Sequence, residues 1–228
     1  MKKNVLTGLS ALALCVAAGG AYQVEAVAGA RSSAREASAA QKHADRARKA
    51  IARRDAVAAV QSAELAVGLA PRDADCRALL GQAYLLAGRF DSAHTALADA
   101  LKLAPDNGKA ALNLALAQIA GGDWAGARAT LDSHADTIAI SDRGLAMALA
   151  GDPAGAVALM LPVARQPGSD AKLRQNLALS LALAGRWQDA RLVASLDLPP
   201  PMSTGGSPTG PPSPIRPARA IRSPPCSA

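Results

Sequence analysis

Aromatic side chains are almost missing from this chain of 228 residues: two tryptophans, two tyrosines and one phenylalanine. Stacking platforms for single-stranded nucleic acid need several closely set rings, so that mode of binding is excluded. Cysteine and histidine are equally scarce, at three each. Cys15, Cys76 and Cys226 lie far apart in sequence and do not make a disulfide framework. His43, His94 and His134 are scattered, without the spacing of metal ligands. The β-branched residues that favour strands are sparse. What is abundant is alanine and leucine, which dominate a hydrophobic half of the composition. Both are strong helix formers, and an all-α fold is predicted.

The formal net charge is +7, from 25 Lys and Arg against 18 Asp and Glu. Its distribution matters more than its size. Residues 31–56 carry eight basic and three acidic residues, a net of +5, and residues 57–197 carry twelve and fourteen, a net of −2. The remainder falls on the first 30 residues and on residues 198–228. A basic footprint spread over a whole domain, as nucleic-acid binding requires, is absent. The cluster Arg46, Arg48, Lys49, Arg53 and Arg54 is interleaved with Asp45 and Asp55, as on a solvated terminal helix.

Residues 1–30 read as an export signal. Lys2 and Lys3 precede an apolar run from Val5 to Ala18, and Ala26-Val27-Ala28 and Ala28-Gly29-Ala30 offer cleavage sites. The run is shorter than the roughly 20 residues of a membrane-spanning helix. The mature protein is therefore expected in a bacterial periplasm. The alternative is an outer-membrane lipoprotein cut before Cys15, against which stands the bulk of Leu14. Membrane association is expected only with lipidation at Cys15.

A repeat organises the middle of the chain. Gly88-Arg89-Phe90-Asp91-Ser92-Ala93 recurs as Gly122-Asp123-Trp124-Ala125-Gly126-Ala127, Gly151-Asp152-Pro153-Ala154-Gly155-Ala156 and Gly185-Arg186-Trp187-Gln188-Asp189-Ala190. The glycines are 34, 29 and 34 residues apart, and Pro71 and Pro105 are also 34 apart. Leu80, Gly81 and Tyr84 share one helical face, and Ala93, Leu97 and Ala100 share another. This pattern, with its period of 34, resembles the tetratricopeptide (TPR) repeat.

The resemblance implies a solenoid of about five helix-turn-helix repeats in a right-handed superhelix, spanning residues 31–197. The first pair runs from about Ala40 to Pro71, with room to extend back to Glu36. The third has a degenerate second helix, because His134 stands where a small residue belongs. The fourth is shortened by five residues, with Gly144 at the small position. Phe90, Trp124 and Trp187 are expected to pack into the helix junctions.

TPR arrays bind along a concave groove lined by the first helix of each pair. In the third repeat the inward positions are Lys109, Leu112, Asn113 and Leu116; in the fifth they are Lys172, Gln175, Asn176 and Leu179. Lys and Asn stand one helical turn apart in both and so face the same way. Asparagine can both donate to and accept from a peptide backbone, and lysine can meet a carboxylate. Lys109, Asn113, Lys172 and Asn176 are thus the candidate peptide-binding residues. No catalytic constellation is found: Ser92, His94 and Asp99 share one helix without triad geometry, and no phosphate-binding loop is present. No cofactor and no metal is expected.

Arg174-Gln175-Asn176-Leu177-Ala178-Leu179, Leu183-Ala184-Gly185-Arg186-Trp187 and Asp197-Leu198-Pro199, with Asp142-Arg143-Gly144-Leu145-Ala146, resemble TadD-type proteins, the TPR component of tight-adherence (Flp) pilus assembly. That resemblance implies a periplasmic scaffold whose partners are proteins or peptides, such as the secretin or other pilus-assembly components. The alternative is a structural subunit of an envelope complex that acts by oligomerisation. Residues 198–228 depart from the family pattern. They hold ten of the fifteen prolines and no acidic residue, and are expected to be a disordered tail or the product of a frameshift.

Overall fold

Ten α-helices and no strand make up the described residues, 34–197, of the computed structural model. The expectations placed on the leader, on Cys15 and on the proline-rich tail lie outside them. The helices form five antiparallel pairs: α1 (34–52) with α2 (Ala56–Leu69), α3 (Ala74–Leu86) with α4 (Phe90–Leu103), α5 (Gly108–Ala120) with α6 (Trp124–Ser133), α7 (Ile140–Leu149) with α8 (Pro153–Ala164), and α9 (Ala171–Leu183) with α10 (Trp187–Ser195). From α2 onwards, every helix contact is within a pair or between neighbouring pairs. That nearest-neighbour pattern defines a solenoid. Among the described residues no helix is long and apolar enough to cross a membrane.

Local chemistry fixes where the helices begin. Asp55, Asp73, Asn107, Asp123, Asp152 and Asp170 each accept a hydrogen bond from a backbone N–H of the helix they precede. Such caps are worth about 1 kcal/mol apiece. The turn within each pair is equally regular. Gly88, Gly122, Gly151 and Gly185 have φ of +71°, +84°, +87° and +77°. The N–H after each glycine reaches back five residues, as in Arg89 to the Tyr84 carbonyl at 2.9 Å and Asp123 to the Gln118 carbonyl at 2.8 Å. The first pair makes the same turn without a glycine. Arg54 has φ +59°, and the Asp55 N–H bonds to the Ala50 carbonyl at 3.0 Å.

Packing inside a pair depends on one small residue meeting one large one. An added Cβ on Gly81 would lie 2.3 Å from Leu97 Cγ, and one on Gly144 would lie 2.6 Å from Met160 Sδ. Ala47, Ala115 and Ala178 fill the same slot in the other pairs and are buried. Opposite them, Ala63, Leu97, Leu131 and Met160 are all 0% exposed. In the last pair the equivalent residue, Ala194, is exposed, since no described helix follows α10.

Two expectations about individual residues need comment. Phe90, Trp124 and Trp187 do not pack into the helix junctions; they are 37, 56 and 66% exposed. Each is the first residue of its helix, and the buried slot is taken three residues later by Ala93, Ala127 or Ala190. The degenerate end of the third repeat is seen as a short α6. It stops at Ser133, with His134 Nδ1 3.0 Å from the Thr130 carbonyl oxygen.

Candidate interaction groove

The first helices of the pairs each turn one face away from the second helices. On α5 that face carries Lys109, Leu112, Asn113 and Leu116, while Ala110, Ala111, Leu114, Ala115 and Ala117 are buried on the others. On α9 it carries Lys172, Gln175, Asn176 and Leu179, with Leu173, Leu177, Ala178, Ser180 and Leu181 buried. The spacing read from sequence therefore puts each Lys and Asn on a common face.

The two sets stand in different surroundings. Lys109 and Asn113 line a cavity of about 450 Å³ together with Arg48 of α1 and Asp75 and Gln82 of α3, above a floor that includes Leu79 and Leu112. Arg48 is paired with Asp45 at 2.7 Å. Lys109 and Asp75 have no ion-pair partner among the described residues, and the Asn113 amide makes no hydrogen bond there. In the fifth repeat both groups are engaged within the protein. Lys172 Nζ sits 2.7 Å from Asp142, and Asn176 Nδ2 donates to the Ser141 carbonyl at 2.9 Å. These two contacts tie α9 to α7. Leu149 of α7 and Leu179 and Leu183 of α9 are exposed.

Two arginines to which the sequence reading gave no structural role, Arg77 and Arg174, tie the start of a repeat to its second helix or its end. Arg77 is the fourth residue of its repeat; its Nε donates to the Pro71 carbonyl at 2.7 Å and its Nη1 to Asp99 at 3.2 Å. Arg174, the fourth residue of the last repeat, donates through Nε to both carboxylate oxygens of Asp197 at 3.0 and 3.1 Å, and through Nη1 to Ser169 Oγ at 3.0 Å. The hydrogen bond with Asp197 raises the pKa of the guanidinium further. The signal available in sequence was an arginine at one repeat position with an aspartate near the end of the same repeat.

Reactive chemistry is not supported nearby. Burial pushes the Cys76 thiol up to about 11, which keeps it protonated and poorly nucleophilic. Among the described residues no group of three His, Cys, Asp or Glu side chains could hold a metal ion.

Residues 85–137, from the end of α3 through α6, match the family model described as tetratricopeptide repeat. Among solved structures, MamA (41-end) from Desulfovibrio magneticus RS-1 aligns at a TM-score of 0.53 and 15% identity, over 69% of this chain and 92% of that one. The fold is a tetratricopeptide-repeat solenoid. A second MamA crystal structure aligns at 0.52 and 16% identity, over 69% and 88% of the two chains. A third, MamA of MSR-1, aligns at 0.51 and 20%, over 71% and 93%. No curated protein matches this chain in sequence.

Proposed function

We propose that the protein is an exported TPR scaffold that holds an extended peptide of a partner protein in the N-terminal half of its groove, within tight-adherence pilus assembly or secretion. The observation that carries this reading is the open cavity at Lys109 and Asn113. A polar amide and a neighbouring cation, neither with a partner among the described residues, are arranged to receive a peptide backbone and a carboxylate. Asp75 across the cavity favours a basic group on the same ligand. Lys172 and Asn176, though part of the same face, support the groove by fixing α9 against α7.

The pilus assignment rests on the resemblance of Arg174–Leu179 and Asp197 to TadD-type proteins. The pairing of Arg174 with Asp197 gives that signature a structural role at the end of the array. Export rests on residues 1–30, with cleavage to a periplasmic protein or, through Cys15, anchoring at the outer membrane. The secretin or another assembly component is the natural partner on this reading. A second reading, a structural subunit acting by oligomerisation, is favoured by the exposed Ala194, Leu192 and Leu196 at the open end of α10.

The deciding experiment is capture from an envelope extract with Asn113→Ala and Lys109→Gln. Loss of a partner with the thermal midpoint unchanged supports the groove. Unchanged capture, with loss only on Leu192→Asp, moves the function to the end of the solenoid.

A further inference from the structure

The exposed side of α1 is charged in an ordered way. Arg35, Lys42, Arg46, Lys49 and Arg53 follow one another at intervals of 7, 4, 3 and 4 residues. At 100° per residue these five fall within a narrow stripe along a single helix face. All five are exposed, and none has an ion-pair partner among the described residues. Ala40, Ala44 and Ala47 lie on the other side of the helix and are buried. The stripe is about 27 Å long from the helical rise. Beside it lie the short side chains of Ser38, Ala39 and Ala50 and the carboxylate of Asp45.

The acids near the stripe do not neutralise it. Asp45 pairs with Arg48, off the stripe, at 2.7 Å. Asp55 lies at the far end, where Arg46, Lys49 and Arg53 line a cavity of about 240 Å³ with Ser62 of α2. Its Oδ1 accepts the Ala58 N–H at 3.0 Å as the cap of α2. Glu36 is at the opposite end of α1, off the stripe.

We propose that this stripe is a docking surface for an anionic phospholipid bilayer, independent of the groove. Two observations favour a bilayer. The charges lie in single file along one exposed helix face, and Arg35 and Lys42 extend it beyond the cavity that the other three line against α2, as suits an extended surface. Residues 31–56 carry a net +5 while residues 57–197 carry −2, so a negatively charged plane both attracts the protein and orients it with α1 inward. Docked along α1, the solenoid keeps its groove open to a partner.

The test is partition of the full chain onto phosphatidylcholine vesicles with and without phosphatidylglycerol. Each basic residue at an anionic surface is worth roughly a factor of five in partition. Arg46→Gln, Lys49→Gln and Arg53→Gln together are therefore expected to lower binding to the anionic vesicles about a hundredfold. Binding to neutral vesicles and the circular-dichroism melt should stay as in the parent. Added salt should erase the parent's preference. Arg46→Lys with Arg53→Lys keeps the charge and should keep the binding. Equal partition of the parent onto both vesicle types overturns the proposal, as does loss of binding in the charge-conserving variant. An undiminished preference for the anionic vesicles in the triple glutamine variant overturns it as well. Asn113→Ala should leave partition unchanged, which separates this surface from the groove.

Discussion

In the second repeat Leu97 is fully buried against Gly81, and the helices on either side close over it. At the corresponding place in the fifth repeat, Ala194 lies open and only Ala190 of α10 is buried. The groove changes along the same axis. Near the second and third repeats its polar groups, Asp75, Lys109 and Asn113, face a cavity; near the fifth, Lys172 and Asn176 are tied to α7, and Gln175 and Leu179 are left exposed. A repeat position therefore fixes a backbone but not a role. The role depends on whether a neighbour follows and on what that neighbour offers.

The largest difference is expected between substitutions at the paired positions. Leu97→Ala should cost about 2–5 kcal/mol in a denaturant melt, the usual range for a buried leucine. Ala194→Asp should cost less than about 0.5 kcal/mol, as at most surface sites. A large loss from Ala194→Asp would show that the end of the array is covered in solution. The asparagines come next. Asn176→Ala should lose about 1 kcal/mol, the net worth of its bond to Ser141. Asn113→Ala should leave stability unchanged and affect only partner capture. Equal melting of the two variants would erase the distinction drawn between the halves of the groove.

A smaller effect is expected at the turns. Gly122→Ala should destabilise by about 1 kcal/mol, because φ of +84° is strained for any side chain. Arg54→Gly should do the reverse and gain about 0.5 kcal/mol, the left-handed penalty partly offset by extra freedom in the unfolded chain. The smallest effect concerns Asp99, which the Lys102 ammonium, hydrogen-bonded to it, holds below the ordinary carboxylate range, with Arg77 adding to the shift. Its contribution is complete above the unfolded carboxylate value and is lost as pH falls through the depressed folded one. An acid titration of Asp99→Asn should therefore be slightly flatter than that of the parent below about pH 4.

Much of the fold was legible because its signals are local. The aspartates that cap helices, the glycines at the turns and the prolines at 34-residue spacing each act on a few neighbouring residues. The face shared by Lys109 and Asn113 followed from helical spacing alone. Exposure of Phe90, Trp124 and Trp187 did not follow, since a frame of repeats records the position of a side chain and not what lies opposite it. The attachment of Asn176 to Ser141 bridges 35 residues and uses a backbone carbonyl, which has no identity in sequence. The left-handed Arg54 was hidden for a related reason: its conformation belongs to the turn it completes.

The exposure of the two tryptophans also has a spectroscopic consequence. Trp124 and Trp187 already stand in water in the native state, so their emission should be red-shifted and change little when the helices melt. Intrinsic tryptophan fluorescence is then a poor reporter of unfolding for this protein. It is well placed instead to report anything that covers the first turn of α6 or α10.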